Sequence, residues 1–385
     1  MKSDFGHVVI GLGGLGSAAA YWLARDRGAD VLGLEQFELG HGNGESHDHS
    51  RIIRLTYDTV PYVRYAQASY ATWREVEDES GEQLVIQCGD LDLWPPETSL
   101  NERAYHDALT ACGIDFEILD AGATMRRFPQ FRLPESVHAL FQPEGGLVAA
   151  MKATAAHQRL ARARGAVLID NQPVRSISRT GGEYLVQTRD QRFRCENIVI
   201  AAGPWSNRVL AMLGLSLPLS VTLEQVTYYD SPDLGAFSPE RFPVWMWMIE
   251  DNYYGFPVYG AQGAKAAKDR FVPCDPDTRS FDPDPENQRI LDDFVRTYIP
   301  GAFGPYLYTK TCLLTHTPDV DFVIDAVPGH PGCFVAVGAA HAYKFASVIG
   351  KTLSELATDG STRYDISAFR FDRDALTHGT PAFGA

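Results

Sequence analysis

The segment His7-Val8-Val9-Ile10-Gly11-Leu12-Gly13-Gly14-Leu15-Gly16 limits what this chain can fold into more than any other stretch. A short apolar run suited to a buried strand passes without a gap into GxGxxG. Alanines and apolar residues then recur at helical spacing over 18–24, and the run Val31-Leu32-Gly33-Leu34 ends in Glu35. Each part has a mechanical role. Gly11 permits the tight turn, Gly13 lets the main chain approach a pyrophosphate, and Gly16 allows close packing of helix on strand. The helix N-terminus carries partial positive charge toward the phosphates, and Glu35 stands where an acid can accept hydrogen bonds from a ribose. Strand, glycine turn, helix, second strand and terminal acid together predict a dinucleotide-binding α/β unit. They do not separate FAD from NAD.

Composition narrows the class. With 385 residues, 45% of them hydrophobic and 22% charged, the chain is long enough for two sizeable cores. A net charge of -15 argues against nucleic acid and anionic membranes as partners. The cysteines at 88, 112, 195, 274, 312 and 333 form no CxxC pair, which excludes a thioredoxin-like redox motif and a zinc site built on such pairs. No signal-type segment opens the sequence and no span approaches membrane length, so a soluble cytoplasmic protein is expected.

After the fingerprint two kinds of sequence alternate. Residues 84–140 and 217–307 are rich in Pro, Tyr, Phe and Trp and contain strand-like runs such as Leu91-Asp92-Leu93-Trp94 and Tyr253-Tyr254-Gly255-Phe256. Between them an amphipathic helix runs to Arg164, a strand-turn pattern follows through Pro173-Val174, and an apolar run leads into Ala201-Ala202-Gly203-Pro204-Trp205. The interleaving predicts a discontinuous nucleotide domain (1–83, 141–216 and 308–385) with an antiparallel-sheet substrate domain (84–140 and 217–307) inserted twice.

Five segments carry a resemblance over nearly the whole length. They are the fingerprint, Ser46-His47-Asp48-His49-Ser50-Arg51-Ile52-Ile53-Arg54, Tyr254-Gly255-Phe256-Pro257 with Lys265 downstream, Lys310-Thr311-Cys312, and the stretch from Gly338 to Phe345. In their order and spacing the chain resembles the monomeric sarcosine oxidase and N-methyltryptophan oxidase family of flavoproteins, which includes pipecolate and fructosyl amine oxidases. The resemblance implies an α/β, overall α+β, fold of the D-amino-acid-oxidase and glutathione-reductase kind, with a Rossmann-type FAD domain. It implies FAD as cofactor, joined through the flavin 8α-methyl group to the sulfur of Cys312, and no metal. It places Gly11, Gly13, Gly14, Gly16, Glu35, Gln36, Ser46, Arg51, Ile52, Val174, Ala202, Gly203, Trp205, Gly338, His341 and Lys344 at the cofactor.

The same resemblance distributes the chemistry. Arg51 lies over the flavin ring, His47 supports it, and Arg54, Lys344 and Tyr254 meet an amino-acid substrate, the first two through its carboxylate. Lys265 is the cation that activates oxygen. Arg51 and Arg54, three apart, would share one face of a helix and converge on one pocket. His41, His47 and His49 with Asp48 lack the spacing of a zinc motif. A strand, Gly338 and a helix over 345–356 would aim main-chain N–H groups at the flavin. The implied reaction moves a hydride equivalent from the carbon beside an amine nitrogen to the flavin, hydrolysis of the imine follows, and O2 becomes H2O2.

One departure bears on the substrate. Asp269 stands four residues after Lys265, where sarcosine oxidases carry a histidine, and Trp245-Met246-Trp247-Met248 brings bulk shortly before Tyr254. Both favour a larger or cyclic secondary amino acid over N-methylglycine. A primary or glycated amino acid, a nicotinamide-dependent dehydrogenase, a flavoprotein passing electrons to a partner and a non-catalytic flavin scaffold remain as alternatives. Small-molecule substrate and O2 are the expected partners, for a monomer or a small homo-oligomer.

Overall fold

The computed structural model describes residues 2–383. The fingerprint strand Asp4–Ile10 sits in the middle of an eight-stranded sheet, between Val31–Leu34 and Arg192–Ile200, with both pairings parallel. Its last four residues are buried, as a strand covered on both faces requires. The helix Gly14–Arg27 follows at once. Ala18, Ala19 and Ala20 on it are wholly buried, and side chains this small let Ala150–Ala163 and Ala346–Asp359 pack directly against it. The parallel part continues through Val167–Ile169 and Cys333–Val337, and the hairpin Ser176–Thr180 with Glu183–Gln187 extends one edge.

The second sheet has nine strands. Its middle is a parallel pair, Val244–Trp247 with Asp90–Trp94, which joins the two Pro- and aromatic-rich stretches into one layer. All other pairings in it are antiparallel. Side chains alternate between two faces. Leu91, Leu93, Trp245, Trp247, Ala264 and Ala266 point outward and pack on the helix Pro285–Tyr298 through Leu291, Phe294 and Val295. Burying each of the larger of these contributes about 1.5–3 kcal/mol. The opposite face turns toward the nucleotide domain. A three-stranded sheet of Ser50–Ile53, Gly146–Ala149 and Val85–Gln87 lies in the same region.

Two features differ from the sequence reading. Arg51 lies on the strand Ser50–Ile53, and Arg54 follows its end, so the two arginines do not share a helix face. The β-branched pair Ile52-Ile53 favours a strand, and the segment gains a partner in Gly146–Ala149. Cys312 lies in the eleven-residue strand Tyr306–His316, paired along its length with Ser220–Tyr229 in the nine-stranded sheet, so a boundary at 308 falls inside a strand.

Candidate active site

A cavity of about 440 Å³ runs from the fingerprint to the C-terminal segment and is lined by Gly11, Gly13, Gly14, Glu35, Gln36, Ser46, Val174, Ala202, Gly203, Trp205 and Gly338, among others. Its floor is built for a close approach. Gly11 has φ +91°, a left-handed conformation, and a Cβ on Gly16 would collide with the Gly11 carbonyl oxygen. The helix begins at Gly14 with no side-chain cap from Gly13, and the Gly14 N–H donates to Ser46 Oγ at 2.8 Å. Glu35 accepts from the Leu12 N–H at 2.7 Å and the Phe37 N–H at 3.1 Å. Burial pushes its pKa up, but His41 and these two amides outweigh that and hold it below the usual value. A glycine cradle on an open helix N-terminus, with an ionised acid across it, fits the pyrophosphate and ribose of a dinucleotide.

The inner face of the nine-stranded sheet carries the remaining polar groups in register. Asp92, Met246, Tyr254, Ala267, Val226 and Lys310 form one row across the strands. Two residues along, on the same face, lie Gln142 opposite Asp90, and Phe256, Lys265, Tyr228 and Tyr308 side by side. Glu224 opposite Cys312 begins a further row.

Lys265 is 3% exposed, not a solvated loop residue. Its Nζ stands 2.7 Å from Asp48 Oδ2, donates to the Ser50 carbonyl at 3.0 Å, and lies 4.4 Å from the Phe256 ring centre. Tyr228 donates its hydroxyl to both Asp48 oxygens at 3.0 Å. Burial lowers the Lys265 pKa to about 8, against the pull of Asp48. Asp48 itself is held below the carboxylate range: burial acts upward, and Lys265 and Arg51 outweigh it. Its backbone is left-handed, φ +80°, a strained state that a non-glycine residue holds where surrounding contacts dictate it.

Arg51 donates to the carbonyls of Ser50 at 3.0 Å and Glu45 at 2.8 Å, and no carboxylate lies within 4.0 Å of it among the described residues. Cys312, Asp48, Tyr254 and Tyr343 are the groups acting on its charge. Cys312 is buried, and burial raises its thiol to about 11 against the opposing pull of Arg51. Asp269 follows the Lys265 strand, where burial and Glu224 push its carboxyl well up.

Arg54 is buried and donates from Nη1 to Asp92 Oδ1 at 2.9 Å. Asp90, two residues earlier, accepts from Thr56 Oγ1 at 2.6 Å. Lys344 and Arg54 both lie over the Tyr57 ring, at 5.8 and 5.3 Å. Burial and Arg54 lower Lys344 to about 7, against Asp90 and Asp92. No carboxylate lies within 4.0 Å of Lys344 among the described residues.

Several residues stand apart from this arrangement. His341 turns its ring into an aromatic cluster with Tyr57, Tyr62, Phe322 and Phe345, where burial lowers it to about 3, so its side chain faces the core. Ile52 packs with Leu147, Val244 and Phe256. His47 is buried with Nε2 unpartnered and lowered by burial to about 3, a neutral imidazole. The histidines do not converge on Asp48: His41 meets Glu35 at 3.4 Å and His49 packs edge-on to Tyr228. Sequence reasoning missed Asp48 as the partner of Lys265, and also Tyr228, Asp90 and Gln142. The available signal was the period-two placement of Asp90 and Asp92 within an apolar strand.

Residues 7–356 match the family described as FAD dependent oxidoreductase. The chain is 31% identical over 382 residues to the monomeric sarcosine oxidase of Bacillus sp. (strain NS-129), covering 98% of each chain. It is 28% identical over 381 residues to the N-methyl-L-tryptophan oxidase of Citrobacter koseri, covering 97% of this chain and 99% of the relative. Among solved structures it superposes on NikD, an unusual amino acid oxidase essential for nikkomycin biosynthesis, with TM-score 0.85, 26% identity, and 96% and 98% of the two chains covered. Fold, cradle and full-length similarity agree, and the chain belongs to the FAD-dependent oxidoreductase family, among its sarcosine-oxidase-like amine and amino-acid oxidases.

Proposed function

We propose that this FAD-dependent CH–NH oxidase acts on a secondary amino acid, N-methylated or cyclic, and that its flavin is held covalently by Cys312. When bound, FAD supplies the acceptor for the hydride equivalent and passes the electrons to O2, giving H2O2. The chain's own residues do the positioning. Arg51, with no acid within 4.0 Å of it among the described residues, offers positive charge where the ring gains negative charge. Tyr254 and Lys344 are half-buried, and Lys344 with the free edge of Arg54 takes the carboxylate. His47 stays neutral, held so by burial and by the charge of Arg51.

The observation that carries this reading is the shared inner face of one sheet. Cys312, Tyr254 and Lys265 project from three of its strands toward Arg51. A peroxide-release screen over N-methyl, cyclic and primary amino acids tests it. Release from secondary amino acids well above their primary counterparts is expected. Release from primary amino acids alone would overturn it.

A further inference from the structure

The mechanism leaves one buried polar cluster unused. Asp90, Asp92 and Gln142 are each 0% exposed, on one face of adjacent strands, with Asp90 and Gln142 directly opposite. Asp92 meets Arg54 through Oδ1 and Asp90 meets Thr56 through Oδ2. Four further atoms are unpartnered: among the described residues Asp90 Oδ1, Asp92 Oδ2 and both polar atoms of Gln142 have no hydrogen-bond partner. Buried polar atoms are nearly always paired, so a concentration of four beside Arg54 and Lys344 marks a place where something polar binds.

Charge decides what fills it. Burial and the neighbouring Asp92 raise the Asp90 carboxyl to about 8, and burial raises that of Asp92 against the pull of Arg54, so the two acids do not both ionise readily on their own. A substrate carboxylate bound at Arg54 and Lys344 offsets those cations and makes ionisation of the pair costlier still. A second cationic nitrogen on the same molecule, beyond the amine that is oxidised, lets both acids ionise. It also supplies the donors that Asp90 Oδ1, Asp92 Oδ2 and Gln142 Oε1 lack. We infer that Asp90, Asp92 and Gln142 form a subsite for a second ammonium group, so that the enzyme takes short amino acids carrying a basic side chain. The acids lie next to the carboxylate-binding cations, since Asp92 touches Arg54, and this limits the separation of ammonium and carboxylate to a few bonds. The inference rests on the amino-acid oxidase reading above.

The test uses the purified flavoprotein without turnover. Butanoate and 4-aminobutanoate, which differ by one ammonium group, are titrated anaerobically against the flavin absorbance spectrum. The amino acid should bind at least about tenfold more tightly, and Asp90→Asn should reduce that preference to about threefold or less. Equal binding by the wild-type protein would show that the unpartnered atoms hold water only and would overturn the subsite, as would a preference that survives Asp90→Asn. The wild-type comparison needs no variant, so an unstable Asp90→Asn leaves the test standing. The two readings fail separately. Peroxide from N-methylglycine together with equal binding sinks the subsite alone, whereas an intact preference with no peroxide from any amine sinks the oxidase reading and upholds the subsite.

Discussion

At the scale of single residues, Lys265 is defined by what surrounds it. A lysine buried between a phenylalanine ring and a carboxylate stays charged only because Asp48 compensates its desolvation. At an effective dielectric near 20, a unit charge about 4 Å from the reacting oxygen is worth about 4 kcal/mol, roughly a thousandfold in rate. Lys265→Met should therefore leave anaerobic reduction by substrate nearly unchanged and slow reoxidation by about two orders of magnitude or more. Stopped-flow traces of the two half-reactions separate these outcomes, and equal slowing of both would remove the lysine from the oxygen step. The pH dependence has a definite sign. The cation is present below its pKa of about 8 and lost above it, so reoxidation should slow as pH rises through that value. Asp48→Asn removes the group that raises this pKa, so the alkaline limb should move to lower pH by about one unit or more. A limb that stays in place would mean another group titrates.

Elements decide where these side chains point. The strand Tyr306–His316 places Cys312 inside a sheet, fixed by pairing with Glu224 and buried beside Arg51, which gives the thiol one direction to face. Cys312→Ser should yield a protein that releases its flavin in acid, where the wild type keeps a fluorescent band on a denaturing gel. Free flavin from the wild type as well would exclude the thioether. The fingerprint helix has a comparable constraint in Gly16, whose absent side chain is the condition for helix and turn to touch. Gly16→Ala should give an apoprotein with displaced turn geometry, read as loss of the 450-nm region of the spectrum. The two arginines show the limit of local pattern. Spacing by three suits a helix face, yet β-branched neighbours and a waiting partner strand made the segment extended, and Arg54 reached its pocket from beyond the strand end. The fingerprint was legible because its local geometry and its function need the same residues. The Arg51 segment was not, because a neighbouring strand distant in sequence set its conformation.

Across the whole molecule, the pairing of Arg54 with Asp92 ties the segment after Ser50–Ile53 to the nine-stranded sheet. Removing one member of a buried pair typically costs about 3–5 kcal/mol, because the other charge is left unpaired. Arg54→Met should thus lower thermal stability as well as carboxylate affinity. Arg54→Met combined with Asp92→Leu should recover most of the stability and none of the affinity. Calorimetry of the single and double variants checks the first part, and additive losses would show that the two residues are not coupled. Lys344→Met is the cleaner probe of carboxylate recognition, since among the described residues no acid is paired with it. It should weaken carboxylate ligands roughly 30-fold or more and carboxylate-free amines much less. The sequence by itself determined the dinucleotide unit and the family, because each rests on short-range spacing or on motifs in fixed order. Only the tertiary structure decided that Asp48 charges Lys265, that Asp92 anchors Arg54 and that Asp90 faces Gln142. Those contacts join residues 38 to 217 positions apart, and the burial that gives them their strength exists only once the sheets have closed on each other.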